Sequence, residues 1–194
     1  MIAEPTRPRL VLASTSPQRH DILQQLRIPF ESVPPVYVEH DPPDADPAAL
    51  VREHAIGKAR SVHRPGQTTI GVDTTVHLEG RVYGKPHDAD DAIAMLQELS
   101  GRTHAVLSGL CLIGPDGETV DHATTLVTFR PVGEHAIRDY VGSGEWRGRA
   151  GGYAIQGLGG RLVERIDGDY SNVVGLPAAL LVETLERELP DLLR

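Results

Sequence analysis

Lys58 is the first residue whose placement asks for chemistry. It falls in a helix expected over Pro47–His63, whose apolar set is Leu50, Val51, Ala55, Ala59 and Val62. At about 100° per residue, Lys58 lies within that set, whereas Arg52, Glu53 and Arg60 lie outside it. An ammonium on a core-facing position is costly unless it is paired or lines a cleft; the plainer alternative is a lysine that snorkels at the helix edge. His54 shares the face and reads as packing. Asp73 ends the apolar strand TTIGVD. Ligands of α/β sheets bind beyond strand C-terminal ends, so this carboxylate can hold a metal or activate water, or simply cap a turn. Thr74 offers a hydroxyl to the same place, and Glu39 and Asp41, in the loop after Phe30, are carboxylates able to join Asp73.

The stretch LVLASTSPQRHDILQQLRIPF, residues 10–30, supplies an anion site. Ser16 reads as the N-cap and Pro17 as the first residue of a helix over Pro17–Arg27. Helix N-termini carry free N–H groups and partial positive charge, which suits a phosphate. Arg19 points the same way as Ile22, Leu23 and Leu26, and a guanidinium beside the core face suggests a ligand. The segment GRVYGKP, residues 80–86, resembles a P-loop only superficially. Three residues separate its glycines instead of four, and proline follows the lysine. Lys85 remains a phosphate cation on a rigid turn. Gln156 sits in an expected glycine-flanked strand, Gly151–Gly157, where its amide can read a nucleobase edge. Asp88, Asp90 and Asp91 open a helix and read as caps. Trp146 reads as packing or surface. Three cations, two or three carboxylates and an amide fit a metal-bound nucleoside triphosphate.

The elements that must hold these residues alternate early in the chain. A strand Arg9–Ala13 precedes the first helix, and a strand around Thr68–Val76 follows the second. A short pair, Val76–Leu78 with Arg81–Tyr83, turns at Glu79–Gly80. Helix Asp88–Leu99 buries Ala92, Ile93, Met95, Leu96 and Leu99, with Gly101 as its stop. Strands His104–Ile113 and Glu118–Arg130 flank the turn GPDG. Helix Glu134–Val141, strand Arg161–Ile166 and helix Pro177–Glu188 complete an α/β chain with a mixed, twisted sheet. Residues 1–8 are expected as a loose arm and 9–194 as one domain. At 194 residues the chain is long enough to bury a substantial core. Its net charge of −8 argues against a nucleic acid polymer or a membrane surface as main partner. No apolar run reaches the ~18 residues of a span, and no signal-peptide core opens the chain, so a cytoplasmic address is expected. The single Cys111 sits in an apolar run and is expected to be buried, with no disulfide.

Five motifs in order, LVLASTSPQR, GVDTTV, GKPHDADDA, LSGRTH and GEWRGRAGGYAIQGLGGRLVERIDGDYSNVVGLP, give the chain a resemblance to the Maf family (septum-formation, Maf/Ham1-like) of nucleotide pyrophosphatases, over about residues 9–189. The resemblance implies the Maf/Ham1 (inosine-triphosphatase-like) fold, an elongated mixed sheet flanked by helices, with two lobes around a central cleft. It implies hydrolysis of a nucleoside triphosphate between the α and β phosphates with a divalent cation, Mg²⁺ or Mn²⁺, and a possible homodimer. Carried over, Ser14, Ser16 and Arg19 match the phosphate-binding turn, Lys58 the helix lysine, Asp73 the catalytic aspartate and Lys85 the GKP lysine. Glu39 matches the loop acid, so that Asp73 and Glu39 become the metal ligands. Thr74 and Gln156, with Arg19, match base-selecting positions, and the IQG form resembles the subgroup acting on dTTP and UTP. The same reaction on 7-methyl-GTP or another non-standard nucleotide is an alternative within the family. A nucleotide-binding cell-division regulator with little hydrolysis, and a phosphatase releasing orthophosphate, are alternatives outside it. Gln18 stands where the family has a first arginine, which predicts weaker phosphate affinity. Gly148–Gly151 keeps a cation but drops an acid, and His54 puts a polar ring on a core-facing position.

Overall fold

A computed structural model of the chain describes residues 10–42 and 45–193; the expected arm over residues 1–8 lies outside them. The organising element is a seven-stranded sheet. Its order is β2 (Phe30–Val33), β1 (Leu10–Ala13), β3 (Thr68–Leu78), β5 (Thr103–Gly114), β6 (Gly117–Phe129) and β7 (Val163–Asp167), with β4 (Arg81–Tyr83) also on β3. β1 runs parallel to β2 and β3, and every other pairing is antiparallel. The sheet is therefore mixed, as expected. Glu79 and Gly80 both take positive φ, 48° and 85°, the geometry of a tight turn that matches strand twist between β3 and β4.

Strand alternation sorts the side chains into layers. Leu10, Leu12, Ile70, Val72, Leu110 and Leu112 share one face and pack on Ile22 and Leu23 of α1 (Pro17–Gln25) and on Leu181 and Leu185 of α6 (Ala178–Glu188). The opposite face of β3 and β5 meets α2 (Pro47–Val62), where Ala55 and Ala59 pack on the buried Cys111. α2 comes unusually close. A Cβ on Gly71 would collide with the Ala55 carbonyl, and one on Gly109 with the Val51 carbonyl.

The far half of the sheet carries a second core. Val76, Leu78, Val106 and Phe129 pack there on Leu96 and Leu99 of α3 (Ala89–Leu99), on Ile137 and Tyr140 of α4 (Glu134–Gly142), and on Trp146. Asp88 caps α3 by accepting from Asp91 N at 2.9 Å. β3 threads both cores, and its residues 73 and 74 mark the junction.

Four elements differ from expectation. α1 stops at Gln25 because Arg27 turns left-handed at φ 56°, and Ile28 N bonds back to the Leu23 carbonyl; this is a glycine-type helix stop made without glycine. β2 and a five-residue helix, α5 (Tyr170–Val174), carry too few residues to show a period. The expected strand over Gly151–Gly157 does not form. Gly151 and Gly152 are both left-handed, at φ 67° and 71°, which no strand accommodates. Short 3₁₀ turns at Ala150–Gly152 and Leu158–Leu162 stand there instead.

Candidate active site

Asp73 and Thr74 are neighbours on β3, so their side chains leave opposite faces of the sheet. Asp73 shares the face of Gly71, whose missing side chain admits α2. Lys58 Nζ consequently lies 2.5 Å from Asp73 Oδ1 and 2.5 Å from Glu39 Oε1. One helical turn earlier, His54 puts Nδ1 3.5 Å from Asp73 Oδ2 and Nε2 3.4 Å from Asp41 Oδ1. His54, Lys58 and Asp73 are all buried, so each charge depends on the others. His54 is thus part of this cluster and not a packing residue. A buried polar ring one turn from a buried lysine was the available signal.

Thr74 faces α1. Its hydroxyl receives Arg19 Nη2 at 3.4 Å, lies 2.8 Å from Ser108 Oγ and donates to the Gly175 carbonyl at 3.4 Å. Arg19 is held along its whole guanidinium, with Nε donating to Gly175 O at 2.9 Å and Nη1 to Ser14 Oγ at 3.3 Å. Ser14 Oγ also accepts from Ser16 N at 3.0 Å. Gly175 follows α5, which Asp169 caps by accepting from Ser171 N. Ser16 is the N-cap residue by its backbone, but its side chain does not cap α1. The hydroxyl donates to Gln18 Oε1 at 3.1 Å instead. The first-turn N–H groups of α1 thereby remain available to a ligand.

Burial alone would raise the Asp73 carboxyl. The His54 hydrogen bond, the charge and hydrogen bond of Lys58 and the charge of Arg19 outweigh it and bring the pKa down to about 2. Asp73 is therefore ionised at neutral pH. His54 is pushed the other way, its pKa raised chiefly by the hydrogen bond to Asp73 against the opposing effect of burial. Arg19 is lowered by burial, with Asp73 and Glu39 opposing, and a guanidinium so placed stays charged.

The nine expected side chains, Ser14, Ser16, Arg19, Glu39, Lys58, Asp73, Thr74, Lys85 and Gln156, all line one cavity of about 500 Å³. Lys85 is exposed on its wall, and Gln156 is exposed in the turn after Ile155. Arg147 and Arg149 line it too, which makes five cations against the carboxylates of Glu39 and Asp73. Arg149 Nε is buried without a hydrogen-bond partner among the described residues. Arg147 lies over the Trp146 ring, 4.7 Å from its centroid. The excess of positive charge suits a polyphosphate.

Three side chains are placed where they could hold a metal ion. Glu39, His54 and Asp73 each present a ligand atom, all within 4.8 Å of one another. Two carboxylate oxygens and one imidazole nitrogen suit a hard or borderline divalent ion. The Lys58 ammonium between the two carboxylates shows that these oxygens face a positive charge. Among the described residues no helix is long and apolar enough to cross a membrane.

The chain is similar to a protein of Symbiobacterium thermophilum named dTTP/UTP pyrophosphatase, with 45% identity over 91% of this chain and 92% of the relative. A protein of the same name from Deinococcus radiodurans is 44% identical over 93% of each. Among solved structures, the Ham1 protein of Staphylococcus aureus aligns with a TM-score of 0.42 at 15% identity, over 62% of this chain and 71% of that one. Residues 9–188 match the family described as Maf-like protein. That match runs from the start of β1 to the end of α6 and takes in the whole lined cavity, so this chain belongs to the Maf-like protein family.

Proposed function

We propose that this chain hydrolyses dTTP and UTP to the nucleoside monophosphate and pyrophosphate, in a metal-dependent reaction in the cytoplasm. The relatives' shared name supports the substrate class. The observation that carries the reading is the Glu39–Lys58–Asp73 contact, with Lys58 and Asp73 buried and Glu39 at the surface, set in one cavity with the anchored Arg19. Glu39 and Asp73 would hold Mg²⁺ or Mn²⁺, with His54 beside them. When bound, such an ion supplies charge neutralisation and a more acidic water. The side chains do the rest. Asp73, ionised and fixed by His54, accepts a hydrogen bond from the attacking water and orients it on the α-phosphorus. Its low pKa makes it a weak base, so aiming is its main task until Lys58 shifts toward phosphate. Arg19, Lys58 and Lys85 balance the charge that grows on pyrophosphate as it leaves. Ser14, Ser16 and the N-terminus of α1 cradle phosphate oxygens, and Gln156 reads the base edge while Thr74 keeps Arg19 in place.

The test is a panel of dTTP, UTP, dCTP, GTP and 7-methyl-GTP, with Mg²⁺, with Mn²⁺ and with EDTA, scored for pyrophosphate and orthophosphate. Pyrophosphate from dTTP and UTP, abolished by EDTA, is the expected result. Orthophosphate as product, a clear preference for 7-methyl-GTP, or binding without turnover would each reject the reading.

A further inference from the structure

Glu39 belongs to a loop without regular structure, yet its carboxylate must meet Lys58 Nζ at 2.5 Å. A free loop has many backbone states and would spread that carboxylate widely. Two attachments tie residues 36 and 37 to α2. Val36 N donates to Ser61 Oγ at 3.1 Å, and Ser61 Oγ donates to the Lys58 carbonyl at 2.8 Å. The second is a notch. Tyr37 lays its ring over Gly57, and the three atoms nearest to where a Cβ would stand all belong to that ring. A Cβ there would stand well inside contact distance of the nearest ring atom. Val36 and Val38 on either side point outward, 86% and 88% exposed, so Tyr37 is the side chain of this trio that turns inward. Its ring also meets His54 edge-on, with centroids 5.7 Å apart.

Backbone geometry does not require glycine at position 57. It sits inside a 16-residue helix with ordinary helical φ, where glycine costs about 1 kcal/mol relative to alanine. The helix accepts that penalty at the one place where the ring needs room. Gly57 is one residue before Lys58, so the notch and the ammonium are fixed by the same turn of backbone.

We propose that Tyr37 is a positioning residue: its ring, seated in the notch that Gly57 leaves on α2, holds Glu39 against Lys58 and Asp73. The kinetic part of this inference rests on the pyrophosphatase reading of the site. Tyr37 does not line the cavity; it acts through Glu39, two residues on.

Gly57→Ala is the decisive variant, because it drives stability and activity in opposite directions. Alanine favours the helix while its methyl expels the ring, so Tm holds or rises. The kcat for dTTP falls about 10- to 100-fold, as displacements near 1 Å do, and KM moves less. Tyr37→Ala gives a similar loss, and Tyr37→Phe, which keeps the ring, restores kcat. Because either change alone removes the ring from the notch, the Tyr37→Ala/Gly57→Ala double variant is no worse than one of them. Amide exchange over residues 36–41, Val36 N above all, accelerates in Gly57→Ala while α2 stays protected. Full kcat in Gly57→Ala, a Tm loss that parallels the activity loss, or Tyr37→Phe as impaired as Tyr37→Ala would overturn the proposal. If the unaltered chain releases no pyrophosphate from any triphosphate, the functional reading fails on its own. Amide exchange then decides the notch, and unchanged exchange over residues 36–41 in Gly57→Ala overturns it.

Discussion

Asp73→Asn keeps the shape of the side chain and removes its charge, so it separates chemistry from packing. In the folded chain the carboxyl sits at about 2, against an ordinary 3.8. A carboxylate lowered in this way stabilises the fold fully above 3.8, and that contribution drains as pH falls through about 2. At about 1.4 kcal/mol for each pH unit between the two values, asparagine forfeits about 2 kcal/mol at neutral pH. For a chain of this length that is a Tm decrease of about 4–8 °C. Thermal melts at pH 7.5 in EDTA measure it without metal on the carboxylates. Turnover of dTTP, assayed as pyrophosphate with Mg²⁺, falls by at least about 100-fold. A near-normal rate would remove Asp73 from the reaction. An asparagine variant as stable as its parent would show that Lys58, His54 and Arg19 do not hold the Asp73 charge, since buried ion pairs often do no more than break even.

Three further outcomes follow from other parts of the molecule. His104 is buried against Phe129 and Tyr153, and burial lowers its pKa to about 4. The unfolded chain therefore takes up that proton first. Stability is full above pH 6.5 and drops by about 3 kcal/mol as pH falls toward 4, whereas His104→Phe flattens this part of the Tm–pH curve; parallel curves would reject the assignment. Gly109→Ala drives a methyl into the Val51 carbonyl and costs about 2–3 kcal/mol in urea unfolding, with activity falling too as α2 moves off the sheet; an unchanged midpoint would refute the close approach. Gln156→Ala narrows the preference for dTTP and UTP over purine triphosphates, read as kcat/KM ratios, and an unchanged ranking would remove Gln156 from base recognition.

The sequence exposes some of this site more readily than the rest. Lys58 was legible because an ammonium inside a helical apolar stripe has few places to go, and Asp73 because a carboxylate interrupts an apolar run; the expected strand end there is wrong, since β3 runs on to Leu78 and Asp73 lies in its middle. His54 lies on that same stripe, but an imidazole packs acceptably on an apolar face, so residue type alone could not separate packing from ion pairing. Its partners, Asp41 and Asp73, are 13 residues before it and 19 after it, and only folding joins them. The Gly175 carbonyl that orients Arg19 is a backbone group, and no residue identity advertises it. Gln156 was legible as a residue but not in its conformation, since Gly151 and Gly152 permit a strand or a turn equally well until tertiary packing chooses. Gly57 was legible only as a glycine inside an expected helix. Its meaning required Tyr37, which lies across a loop of the chain.

Arg19 and the carbonyl that fixes it are 156 residues apart. Domains fold as units once enough of their chain has been made, and this bond sets when the phosphate cradle can exist. During synthesis the Ser14–Arg19 turn emerges early, but its arginine has no anchor until Gly175 has followed. Nucleotide present during synthesis therefore meets the complete anion site only after Gly175 has emerged. A nascent chain stalled before Gly175 would carry the Asp73–Lys58 pair without the arginine that completes the site, a fragment able to hold charge but not to orient a triphosphate.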